Sequence, residues 1–160
     1  MERHELNNLV FEVSDRYGQS PYLSLGLIKA MSHWCQNMVI YDPLQTQFFR
    51  RCHGSGSTET ILQRCRWGLF QIYGCTARRL GFTGTLTDLV HSDVNINWGV
   101  RYLADLSINY RGTDLVTAFV GASGEPSERD ASVAQRVFRY ETEYNQAAMK
   151  DFMDKESGNA

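Results

Sequence analysis

The sequence predicts a single, mainly α-helical domain, all-α or α with a minor sheet, and three observations carry that expectation. Leu23, Leu27, Ala30, Met31, Trp34 and Met38 form one apolar stripe, and Ile96, Val100, Leu103, Leu106 and Tyr110 form another. Steps of three and four residues put such side chains on one buried helix face. No useful length of chain alternates apolar and polar residues as a half-buried strand would. At 160 residues the chain is the size of one domain with a sizeable core.

Each element has its own signal. Residues 6–17 are expected to form a first helix. A second opens at Ser20-Pro21, a cap residue followed by proline at the first helical position, where the missing N–H is harmless and the fixed φ already helical. It carries the first stripe. From residue 37 to residue 57 the period breaks: Tyr41-Asp42-Pro43 is a turn signal and His53-Gly54-Ser55-Gly56-Ser57 reads as a flexible loop. A short helix is expected over 58–64. Another is predicted over 69–80, stopping at Gly81, with Arg78 and Arg79 in its last turn, where cations suit the helix dipole. Ser92-Asp93 caps the second stripe, which reads as the longest amphipathic segment. Residues 115–120 form a short apolar helix running into the loop Gly121-Ala122-Ser123-Gly124-Glu125-Pro126. A final helix is expected from 131 to 153. The folded domain is thus placed at 1–153, with 154–160 as a disordered tail.

Hydrophobic residues at 42% and charged residues at 21% describe a globular chain. A formal net charge of −2 leaves no bulk charge to hold nucleic acid, so such binding is not expected. No apolar run approaches the roughly 18–20 residues of a membrane span. Met1-Glu2-Arg3-His4-Glu5 leads into no apolar core with a cleavage site, so no secretory signal peptide is expected. The cysteines at 35, 52, 65 and 75 include no Cys-x-x-Cys pair. Reduced, mostly buried thiols are therefore expected, with no metal and no cofactor. Charge is uneven. Arg50, Arg51, Arg64, Arg66, Arg78 and Arg79 face one acid, Glu59, between residues 50 and 80, a balance of +5 against −7 elsewhere. Such a stretch suits an acidic polymer or protein, or is a solvated face with helix-end arginines.

Four separated segments resemble one family in the same order. Ile28-Lys29-Ala30-Met31-Ser32 stands where lytic transglycosylases and goose-type lysozymes carry a helix ending in Glu-Ser. Trp67-Gly68-Leu69-Phe70-Gln71-Ile72, followed by Thr76-Ala77-Arg78-Arg79-Leu80-Gly81, is similar to their Gly-Leu-Met-Gln-Ile…Thr-Ala-Arg-x-Leu-Gly segment. Asp93-Val94-Asn95-Ile96 with Gly99-Val100-Arg101-Tyr102-Leu103 is similar to Asp-Pro-x-x-Asn-Ile…Gly-x-x-Tyr-Leu. Ala118-Phe119-Val120-Gly121-Ala122 stands at Ala-Tyr-Asn-Ala-Gly. The insertion with Tyr41-Asp42-Pro43 and Phe48-Phe49 resembles the phage and prophage branch. The match spans about residues 20–125, and its middle two segments are the specific ones.

This resemblance implies a lysozyme-like helical domain with a cleft for the glycan strands of peptidoglycan. In the family, one glutamic acid protonates the glycosidic oxygen and then acts as a base while a 1,6-anhydro ring closes. That role needs a carboxyl whose pKa is raised in an apolar pocket. Here its position holds Met31, whose thioether cannot donate a proton, and no residue from 30 to 38 is acidic. Phe119 and Val120 replace the family's Tyr-Asn pair, which holds the acid and the sugar. The expected cleft residues are Ser32, Tyr41, Trp67, Gln71, Ile72, Phe119 and Val120. Gln71 suits a sugar N-acetyl group or a solvated helix face. Trp34 and Trp67 suit sugar stacking, although aromatics at helical spacing are more often core. His33 is a weak stand-in for the acid. Glu59, after the Gly-Ser loop, is the better substitute, although a glutamate on a short helix is normally exposed.

Three functions fit these residues. The first is a catalytically degenerate lytic-transglycosylase-like protein, phage-encoded, made in the bacterial cytoplasm, and kept for glycan or protein binding or as a virion component. The second is an active peptidoglycan-cleaving enzyme with Glu59 as a relocated acid. The third is an intracellular protein-interaction module or inhibitor of a host system. Partners are accordingly peptidoglycan glycan strands or a protein, with no membrane.

Overall fold

The computed structural model describes residues 1–42, 57–121, 125–126 and 128–157. The chain is mainly helical with a small three-stranded sheet. In order come α1 (Arg3–Arg16), α2 (Pro21–Ser32), β1 (Val39–Tyr41), α3 (Ser57–Gln63), β2 (Cys65–Trp67), β3 (Ile72–Tyr73) and α4 (Gly74–Arg79). A 3₁₀ turn (Leu86–Val90), α5 (Ser92–Leu106), α6 (Gly112–Val120), a second 3₁₀ turn (Glu128–Asp130) and α7 (Ala131–Ser157) complete it. No helix among the described residues is long and apolar enough to cross a membrane.

The start of α2 follows from its sequence. Ser20 takes an extended conformation and its hydroxyl accepts the Leu23 N–H at 3.2 Å, with Pro21 in the first turn. This satisfies one of the donors a helix N-terminus leaves open. α2 is the buried helix of the fold: Leu23, Leu25, Leu27 and Ile28 all lie in the core. Gly26 lets α7 approach, because a Cβ there would stand 2.7 Å from the Val137 carbonyl oxygen. Polar ties reinforce the packing. Ser14 of α1 donates to Ser24 of α2 at 3.0 Å, and Lys29 of α2 pairs with Glu143 of α7 at 3.1 Å.

Several boundaries differ from the sequence reading. The first stripe overshoots its helix: α2 ends at Ser32, and His33 and Trp34 both take left-handed backbone, with φ of 50° and 68°. Trp34 and Met38 therefore lie beyond the helix. Residues 69–73 are not helical. They form a turn and β3, and α4 begins at Gly74. α5 ends at Leu106, short of Tyr110. Its N-cap is His91, without a side-chain cap bond, while Ser92 is the first helical residue and donates to Gln36 Oε1 at 2.8 Å. The longest amphipathic helix is α7, at 27 residues, and it continues through 154–157, assigned above to a tail. The loop expected at 53–57 lies outside the described residues except for Ser57, which opens α3.

The sheet runs β1-β2-β3, all antiparallel, with Ile40 opposite Arg66 and Trp67 opposite Ile72. Its buried end meets α5 and α6 in one core that includes Leu69, Phe70, Ile96, Val100, Leu103 and Val116, all without solvent exposure.

Candidate functional site

The hairpin of β2 and β3 organises the residues that carry the resemblance. Gly68 turns the chain with φ of 63°, donates its N–H to Met38 O at 2.8 Å and accepts from Gln71 N–H at 3.3 Å. Any side chain at 68 would run into the Asn95 amide. Asn95 is fully buried at the start of α5 and makes three bonds. Its Oδ1 accepts the Phe70 N–H at 2.8 Å, and its Nδ2 donates to Trp67 O and Leu89 O, each at 2.8 Å. A buried amide with its polar capacity used this fully ties its neighbours to one geometry. Gly99, one turn further along α5, leaves room for the Phe70 ring. Phe70 in turn meets Phe119 of α6 edge-on, with ring centroids 5.9 Å apart. Three of the four resembling segments therefore converge on Phe70.

Gln71 does not lie on a helix. It occupies the hairpin turn with φ of 50°, left-handed backbone that a residue with a Cβ rarely adopts. Its side chain is 4% exposed, and Nε2 donates to Gly68 O at 2.7 Å and Met38 O at 3.2 Å. Both partners are acceptors, which fixes the amide with its nitrogen towards them. Oε1 is left buried with no hydrogen-bond partner. An unsatisfied buried acceptor is costly in an unliganded protein.

Apart from Tyr41, the other expected cleft residues are core or are occupied within the chain. Met31 is half-buried and packs against the core at the end of α2. Ser32 is buried and its hydroxyl donates back to Ile28 O at 3.0 Å. His33 is exposed. Trp34 is sandwiched into the helical body, with the Arg3 guanidinium 3.0 Å from its ring centroid and its Nε1 donating to the Tyr144 hydroxyl at 3.2 Å. Trp67 is 3% exposed and donates to Leu62 O at 3.0 Å. The Trp67 indole thus offers no bare face for stacking on a sugar, and Arg3 covers one face of Trp34. Ile72, Phe119 and Val120 are buried, and Phe119 lies 5.1 Å from Tyr102 between ring centroids. Tyr41 is exposed on β1.

Glu59 sits on α3 away from any proton-donor environment. Its Oε1 accepts from Arg78 Nε at 2.9 Å and from Gln63 Nε2 at 3.0 Å, while Oε2 faces Arg78 Nη2 at 3.5 Å. The Arg78 hydrogen bond holds this carboxyl below its ordinary value, more than partial burial raises it. A general acid needs the opposite shift.

The structure adds a network that sequence spacing does not reveal. The Tyr73 hydroxyl accepts from Arg66 Nε at 2.7 Å and donates to Asp42 Oδ2 at 2.9 Å, linking all three strands on one face of the sheet. Burial pushes the Tyr73 phenol well up from its usual range. The arginine-rich stretch is largely engaged in this way. Arg66 pairs with Asp42, Arg78 with Glu59 and the carbonyls of Phe82 and Gly84, and Arg79 lies over Tyr102. Arg50, Arg51, Cys52, Phe48 and Phe49 lie outside the described residues. Of the other cysteines, Cys65 is buried, Cys75 half-buried and Cys35 exposed. Among the described residues no three His, Cys, Asp or Glu side chains gather as metal ligands.

No family model matches this chain, and neither a curated protein nor a solved structure is significantly similar to it.

Proposed function

We propose that the chain is a lysozyme-like protein related to the peptidoglycan-cleaving lytic transglycosylases, of the phage and prophage type, in which catalysis has been lost and the scaffold is kept for binding glycan strands or a protein. One observation carries the reading. The two segments most specific to that resemblance, 67–72 and 93–96, are joined by two of the hydrogen bonds of Asn95, to Phe70 and Trp67, and the fourth segment joins them through Phe119. A likeness resting on chance would not require its separated pieces to hold one another.

The loss of chemistry is argued from the same residues. Met31 has no proton to give. Phe119 and Val120 are 5% and 4% exposed and supply neither a hydroxyl nor an amide. Glu59, the substitute acid, is an ionised partner of Arg78. What remains suited to a ligand is the Gln71 amide oxygen, buried and unused. The experiment is co-sedimentation of the purified protein with insoluble peptidoglycan, run beside an assay for released muropeptides. Binding without release supports the reading. Release of anhydro-muropeptides would overturn the loss of catalysis. Failure to bind at all would leave the scaffold serving a protein partner.

A further inference from the structure

β1 closes the sheet on one side, and no other strand among the described residues pairs with its outer edge. Gly68 N–H donates to Met38 O at 2.8 Å and Asp42 N–H donates to Arg64 O at 3.4 Å. Hydrogen-bonded pairs alternate along an antiparallel ladder. With 38 opposite 68 and 42 opposite 64, the hydrogen-bonded pair between them is Ile40 with Arg66. The N–H and C=O groups of Val39 and Tyr41 therefore point away from β2. The three side chains of the strand are 44%, 45% and 47% exposed, so both faces of this edge are open as well as its backbone. Natural edges are commonly protected by a charge, a proline or a bulge, and Val39-Ile40-Tyr41 has none of these.

We propose that β1 pairs with β1 of a second copy of this chain, giving a two-fold symmetric dimer with one continuous six-stranded antiparallel sheet. The strand is its own complement. In an antiparallel register centred on Ile40, Val39 falls opposite Tyr41 of the second copy and Tyr41 opposite its Val39. Those residues carry the outward backbone groups, so the two pairs form four interchain hydrogen bonds. The side chains match as well: Val meets Tyr, a favourable β-branched and aromatic cross-strand pair, and Ile40 meets Ile40 at the close, non-hydrogen-bonded position. Charge also permits the pairing. Asp42 falls opposite Met38 of the second copy and is already held by Arg66 at 3.8 Å. The two Arg66 residues stand three strand spacings apart, about 14 Å, beyond the roughly 8 Å screening length of physiological salt. No like charges meet. Three residues a side bury far less than the roughly 800 Å² per partner of a standard stable interface, so the dimer is weak and concentration-dependent.

Sedimentation velocity over a wide concentration range tests this. The parent protein is expected to move towards the dimer value as concentration rises. Ile40→Lys and Ile40→Glu, each placing like charges face to face on the axis, are expected to stay monomeric, and an equimolar mixture of the two to regain association. Val39→Pro removes an outward N–H while leaving the ladder to β2 intact, and is expected to lose the dimer. Position 40 is 45% exposed, so the fold tolerates both charges, as far-ultraviolet circular dichroism would verify. A parent monomeric throughout, an Ile40→Lys variant that associates like the parent, or a mixture that stays monomeric would each overturn the proposal.

Discussion

Glu59 and Met31 carry the proposed loss of chemistry, and each makes a prediction of its own. The Glu59 carboxyl is held below its ordinary pKa by Arg78. A depressed carboxyl contributes stability that is present above its unfolded pKa and is lost as pH falls through the folded value. Glu59→Gln should therefore lower stability at neutral pH by less than about 1 kcal/mol, since the pair is partly exposed. The difference should shrink as pH falls below the ordinary value of 4.5. Denaturant titrations at several pH values check this, and a gap that grows in acid would reverse the assignment. Met31 packs against the core at the end of α2. Placing a carboxyl there buries part of an unpaired polar group, so Met31→Glu should cost about 1–3 kcal/mol. A variant as stable as the parent would mark position 31 as a polar cleft.

At the scale of elements, the contact between the hairpin turn and α5 is the main joint. Asn95→Ala would strand the Phe70 N–H and two carbonyls in the core, an expected loss of about 2–4 kcal/mol in chemical denaturation. Gly99→Ala would drive a methyl into the Phe70 ring, an overpacking cost of about 1–3 kcal/mol. How much of this was legible in the sequence follows the range of the forces involved. The start of α2 was readable, because Ser20-Pro21 is a local cap whose partner is three residues away. So were the cores of α5, α6 and α7, where burial follows a local period. The hairpin at 68–73 was not. Its apolar residues suit a helix, and the turn is held by Gln71 bonds to Gly68 and the distant Met38, together with the Asn95 bonds to Trp67 and Phe70. Likewise the Trp34 and Met38 spacing continued a stripe that the chain leaves at His33. Within the candidate site, Gln71 and the segments around it were singled out through the family resemblance. The clamp by Asn95 and the Asp42–Tyr73–Arg66 network were not, since each depends on bonds between residues far apart in sequence, 25 positions for Asn95–Phe70 and 31 for Tyr73–Asp42.

At the scale of the molecule, the structure combines a helical body with a small sheet whose hairpin is stitched to it by buried polar groups. In the proposed function a lysozyme-like scaffold persists without its chemistry. General acid catalysis contributes about 10²–10⁴-fold, and a glycosidic oxygen is a poor leaving group without a proton donor. Met31→Glu alone should not restore activity, because Phe119 and Val120 would still offer nothing to hold the acid or the sugar. The most direct measurement is chromatographic detection of soluble muropeptides after the unmodified protein is incubated with purified peptidoglycan at neutral and mildly acidic pH. No release above the protein-free control is expected. Clear release of anhydro-muropeptides, abolished by Glu59→Gln, would contradict it and make Glu59 the working acid.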